Sequence, residues 1–140
     1  PQHRPIPEGS GVIKLSLSHA ADRSSRCRDL SAEELARRPA NMRQTRVCER
    51  RRPPVHIEMD IDGSPVINET VAPGGIAGDG PSRLYRRLAL PEGTHIVALR
   101  LRDTARADGF DHVSEHRIAL HAGQSIAIDF RPTAGGFVLR

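Results

Sequence analysis

The side chains that most clearly allow specific chemistry are those of Cys27 and Cys48, the two cysteines of the chain. Two cysteines about twenty residues apart do not make a zinc site by themselves, because structural zinc needs four ligands that commonly arrive as close pairs. A disulfide between them would close a loop and stabilise the fold by about 3 kcal/mol. The spacing favours a disulfide and an oxidising compartment. Two unpaired thiols and a metal site are the alternatives.

The same segment also allows a soft-metal site. Cys27, Met42 and Cys48 would offer three sulfur donors, which Cu(I) favours, and His19 or His56 could approach from flanking strands. Met42 also suits a simpler role, since an apolar side chain after a helix end covers the edge of the core. No C-x-x-C-H motif for covalent haem attachment is present. We expect no cofactor; a copper- or haem-handling periplasmic protein with Cys, Met and His donors is the alternative function.

The stretch HVSEH, residues 112–116, matches the H-x-x-E-H pattern of inverted zinc metallopeptidases. That chemistry requires a helix, on which both histidines share a face and Glu115 acts on a metal-bound water. Ile118 and Leu120 instead continue the alternation of a strand, where residues four apart are separated by about 13 Å. We therefore expect exposed histidines on a strand, no catalytic residue and no small-molecule substrate, and we predict that the protein is not an enzyme.

Two stretches are candidates for contact with a partner. Residues 42–54 contain a run of arginines, whose guanidinium groups bind carboxylates or phosphates through paired hydrogen bonds. Residues 72–83 form a long Gly/Pro-rich loop. A solvated linker is the alternative role for the arginine run. The residues expected to contact a partner are Arg43, Arg46, Arg50, Arg51, Arg52, Gly74, Gly75 and Asp79.

Composition limits the choice of partner. The chain has 140 residues, the size of one domain, with a net charge of +4 and a pI near 10. Nucleic-acid binding usually adds aromatic stacking platforms to such charge, but the chain has no Trp, one Tyr and three Phe. No nucleic-acid partner is expected, whereas a protein partner or another anionic surface is compatible with the charge. No apolar run reaches the roughly 18 residues that span a bilayer.

The segments that must position these residues are mainly strands. Residues 11–19, 55–61 and 95–101 alternate apolar and polar side chains, and Asp62-Gly63 predicts a tight turn. Seven or eight such strands predict an all-β, antiparallel β-sandwich. Ser31 and Glu34 form a capping-box pattern, which predicts one short helix of about two turns before a proline. Residues 1–10 are expected to be a flexible tether, and residues 11–140 a single domain with a cysteine-bounded helical insertion at 27–48.

Several short motifs resemble those of PEGA-type domains, which are small Ig-like β-sandwich modules of bacterial envelope proteins. These motifs are the strand that ends in Asp62-Gly63, then LPEGTH at 90–95, and LHAGQSIAIDF at 120–130. The resemblance covers about residues 55–130; the loop at 72–83 and the segment before Pro53 depart from it. Such modules are generally non-catalytic. The resemblance therefore implies a binding or structural role and no active-site residues.

Together these observations predict a non-catalytic, extracytoplasmic accessory module that docks onto a larger membrane-associated complex. The disulfide and the resemblance both favour the periplasm. The opening PQHRPIPEGSG suits a tether that follows a membrane anchor or a cleavage site. An anchor segment before Pro1 is one explanation of this composition, and a boundary chosen for expression is the other.

Overall fold

The structure, a computed structural model, describes residues 5–24, 27–42 and 44–140, apart from the side chain of Met42. Two four-stranded sheets pack against each other, which confirms the predicted sandwich. The α-helix α1 (Ala32–Ala36) lies outside both sheets. The strands are β1 (Ser10–His19), β2 (Cys27–Asp29), β3 (Arg46–Cys48), β4 (Val55–Ile61), β5 (Ser64–Val71), β6 (Ser82–Pro91), β7 (Gly93–Arg102), β8 (His112–Leu120), β9 (Ser125–Arg131) and β10 (Gly136–Leu139).

Sheet 1 has the strand order β10-β9-β1-β6, and sheet 2 has the order β5-β4-β7-β8. Neighbouring strands pair antiparallel in both sheets, except β1 and β9, which run parallel with Ser16 opposite Asp129. The prediction of antiparallel pairing is therefore wrong for this one pair. Strand direction follows from the route of the chain between the sheets, because β8 belongs to sheet 2 and β9 returns to sheet 1. Alternation of side chains carries no information about that route.

The core lies between the inner faces of the two sheets and is largely aliphatic. On β4 every second side chain is buried, from Val55 to Ile61, as the alternation predicts. Ile13 and Leu15 on β1, and Leu99 and Leu101 on β7, have no exposed surface. Each such side chain contributes about 1.5–3 kcal/mol when it is fully buried. This interior makes the sandwich a rigid support for the loops at its ends.

The helical insertion is a small hairpin beside the sandwich. β2 pairs with β3, Cys27 lies opposite Cys48, and the two residues form the predicted disulfide. The capping box is also confirmed, because Ser31 Oγ accepts a hydrogen bond from the Glu34 backbone and the Glu34 carboxylate accepts one from the Ser31 backbone. α1 is only five residues long and buries none of them. A helix without a buried face is marginal alone, so the disulfide and β2–β3 pairing hold this insertion together.

An ion pair connects Arg28 on β2 to α1. Two guanidinium nitrogens donate to the Glu34 carboxylate at 3.0 and 2.9 Å. This contact with Arg28, together with the backbone hydrogen bond from Ser31, lowers the pKa of Glu34 to about 2.

No helix among the described residues is long and apolar enough to cross a bilayer.

Candidate functional site

The structure brings the two predicted contact regions together. Arg50 Nε donates to Asp79 Oδ2 at 2.8 Å, and Arg52 Nε donates to the Asp79 backbone carbonyl at 2.6 Å. Asp79 thus binds both arginines, one through its side chain and one through its backbone. We call this arrangement the Asp79 clamp. It joins the arginine run to the Gly/Pro loop across almost thirty positions of sequence.

Backbone contacts fix the clamp to the sandwich. The Arg52 backbone donates to the Gly78 carbonyl at 2.7 Å, and Arg52 Nη1 donates to the Ala21 carbonyl at 2.9 Å. Ala21 is buried and follows β1 closely. Arg52 is therefore used inside the fold, since its guanidinium links the loop to the segment that leaves sheet 1. Of the predicted arginines, Arg52 is a structural residue rather than a free contact.

The loop closes at its base through glycine backbones. The Gly74 backbone donates to the Pro81 carbonyl at 3.0 Å, and Gly80 donates to the Gly74 carbonyl at 2.9 Å. A side chain at Gly80 would place a Cβ 2.9 Å from that carbonyl oxygen, closer than real Cβ atoms come. Gly75 has a φ of 83°, a conformation that side chains rarely adopt. Gly75 and Gly80 are thus required by the shape of the loop.

The tip of this loop presents a large apolar side chain. Ile76 has a relative exposure of 109%, the highest of the exposed large apolar side chains in the described part of the chain. A cavity of about 450 Å³ lies at the base of the loop, lined by Ala72, Gly74, Gly75, Gly80, Pro81 and Arg83. Ile76 was not among the predicted contact residues. The signal that could have identified it is its position as the one large apolar residue within PGGIAGDGP.

The other arginines that were predicted to contact a partner do not all lie beside the loop. Arg51 is exposed and its side chain passes over Gly78, where an added Cβ would lie 2.7 Å from Arg51 Nη1. Arg46 is exposed on β3, and no hydrogen bond or ion pair among the described residues joins it to the loop. Arg43 lies outside the described residues. The assembled surface therefore consists of Arg50 and Arg51 beside the loop that carries Ile76.

Charge pairing sets the ionisation of the clamp. The hydrogen bond from Arg50 is the main cause that lowers the pKa of Asp79, and its charge acts in the same direction. The same contact raises the pKa of Arg50. Both groups therefore stay charged through neutral pH and well into the acidic range. The clamp can hold the loop in one conformation over that range.

A second cluster, which the sequence did not predict, lies where β1, β7 and β8 meet. His19 Nε2 is 2.7 Å from Asp103 Oδ2, and His112 Nε2 is 3.3 Å from the same oxygen. Both imidazole rings pack against the Phe130 ring in T-shaped contacts, with centroid distances of 4.8 Å for His19 and 4.9 Å for His112. The Asp103 backbone is fixed as well, since its carbonyl accepts from Asp22 and its N–H donates to Asp111. These contacts tie sheet 1 to sheet 2.

The HVSEH stretch lies on β8, as its alternation predicts. His112 and His116 are half-buried on the same face as Ile118 and Leu120, while Glu115 is exposed on the opposite face. The expectation of exposed histidines is therefore wrong. Glu115 cannot act on a water held by these two histidines, because it points away from them. Among the described residues, no group of three or more His, Cys, Asp or Glu side chains is arranged to hold a metal ion.

The alternative sulfur site needs reduced cysteines. Cys27 and Cys48 are bonded to each other, so neither is available as a thiolate ligand. The side chain of Met42, the third member of this predicted set, lies outside the described residues. A copper site of this composition would require the disulfide to be reduced first.

Comparison of the chain with protein-family models, with curated proteins and with solved structures finds no match. The resemblance of residues 55–130 to PEGA-type domains therefore stays a prediction. The disulfide indicates a chain that folds in an oxidising, extracytoplasmic environment.

Proposed function

We propose that this protein is a non-catalytic periplasmic accessory module that docks onto a larger membrane-associated protein complex through the loop at residues 72–83. The observation that carries the proposal is the fully exposed Ile76 on a loop whose base is held by the Asp79 clamp. A single exposed isoleucine is ordinary on a protein surface. An exposed isoleucine is less ordinary on a loop that is held both by the clamp and by hydrogen bonds across its base.

The clamp supports docking because it removes part of the entropy cost of binding. A flexible loop loses conformational freedom when a partner orders it, whereas a loop that is already fixed loses less. Glycine positions and the contacts of Arg52 and Asp79 supply that order before any partner arrives. A fixed apolar side chain then acts as an anchor that inserts into a pocket of the partner.

The surroundings of Ile76 suit the rim of an interface. Arg50 and Arg51 are both exposed beside the loop. Arginine is enriched at interfaces, where polar groups surround a central apolar contact. A partner that fits this surface has an apolar pocket with acidic residues near it, because guanidinium groups pair well with carboxylates.

A photo-crosslinking experiment in the native envelope tests the proposal. A benzophenone amino acid replaces Ile76 in one variant and Val113 in the control. Val113 is also exposed, at 69%, but it lies on β8. We expect a discrete crosslinked protein band from position 76 that is absent from position 113, and that weakens when Asp79→Ala is added. No band from position 76, or the same band from both positions, contradicts the proposal.

A further inference from the structure

Sheet 1 carries an excess of basic side chains on the surface that faces away from sheet 2. Side chains that alternate with core residues point to this outer surface on each strand. We call it the basic face. Within the described residues its charged side chains are Lys14 on β1, Arg83 and Arg87 on β6, Asp129 and Arg131 on β9, and Arg140 directly after β10.

The single carboxylate of this face does not cancel its charge. Asp129 Oδ2 lies 2.7 Å from Arg140 Nη2 and 3.6 Å from Arg131 Nη2. One carboxylate can balance only one of the five basic side chains of this face. Arg83 and Lys14 form no ion pair within the described part of the chain. The basic face therefore has a net positive charge.

The outer surface of sheet 2 differs in this respect. Arg100 Nη2 lies 3.0 Å from Glu58 and 3.1 Å from Asp60, and His56 contacts the same glutamate at 3.0 Å. On β8, Glu115 alternates with Arg117. Acidic and basic groups thus balance one another on sheet 2. Of the two broad sheet surfaces, only that of sheet 1 therefore has an excess of basic side chains among the described residues.

A shallow groove of about 570 Å³ crosses the basic face. Because β1 lies between β6 and β9, Ser16 and Ser18 occupy the middle of the groove, with Arg83 on one side and Arg131 on the other. Asp129 also lines the groove, opposite Ser16, and its carboxylate is paired with Arg140 at 2.7 Å. Hydroxyl groups between two guanidinium groups supply hydrogen-bond donors and positive charge together, which is the combination that binds phosphate. Tyr85 lines the same groove and is 53% exposed.

We propose that the basic face binds the surface of an anionic phospholipid bilayer, with a lipid phosphate in the groove between Arg83 and Arg131. The charge extends over four strands of a broad sheet, as contact with a flat surface requires, whereas a small free anion would need only the groove. Basic residues near an anionic bilayer each contribute to binding. Tyrosine is enriched at the membrane–water interface, where the exposed Tyr85 would lie. This proposal does not depend on a protein partner for Ile76.

Vesicle co-sedimentation of the chain tests this proposal. Vesicles of phosphatidylcholine alone are compared with vesicles in which phosphatidylglycerol replaces part of it. We expect binding to the anionic vesicles only, and weaker binding as salt rises, because exposed charges are screened. Arg83→Gln with Arg131→Gln is expected to weaken binding about 25-fold, at about fivefold for each basic residue. Arg83→Lys with Arg131→Lys keeps the charge and is expected to bind far better than the Gln pair.

The matched control removes the same charge elsewhere. Arg46→Gln with Arg117→Gln changes two exposed arginines on β3 and β8, outside the basic face. An equal loss in this control would show a bulk charge effect and overturn the proposal. The proposal would also be overturned if the protein bound an immobilised acidic polypeptide but no vesicles. It would be overturned as well if inorganic phosphate at low concentration displaced the protein fully from the vesicles. Ile76→Asp is expected to leave vesicle binding unchanged, which separates this test from that of the docking loop.

Discussion

His19 and Asp103 form a contact of 2.7 Å that joins the last residue of β1 in sheet 1 to the residue that follows β7 in sheet 2. Both side chains are largely buried, at 14% and 12% exposure. His112 Nε2 lies 3.3 Å from the same Asp103 oxygen, so one carboxylate contacts two imidazole rings. Because the rings pack on Phe130 of β9, the polar contact and the aromatic contact connect the same two sheets.

We expect the substitution Asp103→Ala to lower the free energy of unfolding by about 1–3 kcal/mol. The physical reason is that removing the carboxylate takes this acceptor away from the largely buried imidazole of His19 and the half-buried imidazole of His112. Urea denaturation monitored by circular dichroism measures the change. Asp108→Ala is the matched control, because Asp108 is an exposed carboxylate in the same β7–β8 connection. A loss that is equally small in both variants would show that the His19–Asp103 contact adds nothing to stability.

The turn after β4 is expected to make stability depend on pH. His95 Nδ1 lies 2.6 Å from Asp62 Oδ2, and the ring also contacts the Pro91 carbonyl. The Pro91 contact and then Asp62 raise the pKa of His95. The backbone N–H of Ile96 and then His95 lower the pKa of Asp62. A raised histidine pKa stabilises the fold fully below its unfolded value of about 6.5, and this contribution is lost as pH rises through the folded value.

The measurement is a series of urea unfolding curves for the wild type and His95→Gln from about pH 5 to about pH 9. We expect the wild type to be the more stable of the two at the acidic end of this range and the difference to shrink as pH rises. Asp62 contributes above its unfolded pKa of about 3.9, so it stays ionised throughout the series. A difference that grows towards alkaline pH would contradict the assigned interaction.

The sequence predicted those parts of the fold in which burial is one-sided. β4 was predicted over its full length, because four alternate side chains are buried and their neighbours are not. β6 was ambiguous at Arg86, which lies opposite the buried Leu15 but extends to an ion pair with Glu69 at the edge of the sheets. α1 is shorter than predicted. A capping box defines where a helix begins, but only a buried face would have extended it.

The candidate site was predicted as two separate stretches and not as one surface. The arginine run and the loop each have a composition typical of contact regions. They form one surface only through the Arg50–Asp79 contact. Arg50 lies in the connection between β3 and β4, and Asp79 lies in the connection between β5 and β6. His19 is likewise 84 positions away from Asp103, although His112 is only nine positions from it. No local pattern reports such contacts, since they follow from sheet order.

The disulfide is expected to protect the hairpin from proteolysis more than it protects the sandwich. Natively purified protein should contain no free thiol, and two free thiols in a thiol assay would contradict the extracytoplasmic assignment. The loss of loop-closure restraint in Cys27→Ser with Cys48→Ser corresponds to about 3 kcal/mol. Because α1 has no buried residue, we expect trypsin to cut the variant rapidly after Arg37 within an otherwise resistant domain. Equal resistance before and after removal of the disulfide would show that other contacts hold the hairpin.

The Asp79 clamp makes a separate prediction about the order of the docking loop. Asp79→Asn should accelerate amide hydrogen exchange a few-fold at Gly78 and Gly80, whose N–H groups donate within the loop. The melting temperature should stay nearly unchanged, because an exposed ion pair contributes little to global stability. Arg46→Ala serves as the control, because no hydrogen bond or ion pair among the described residues joins Arg46 to the loop. The lowered pKa of Asp79 implies that its contribution is present above the unfolded value of about 3.9 and is lost as pH falls through the folded value. Unchanged exchange in Asp79→Asn would mean that the backbone hydrogen bonds of the glycines alone order the loop. The Asp79 ion pair would then not contribute to the proposed fixed position of Ile76.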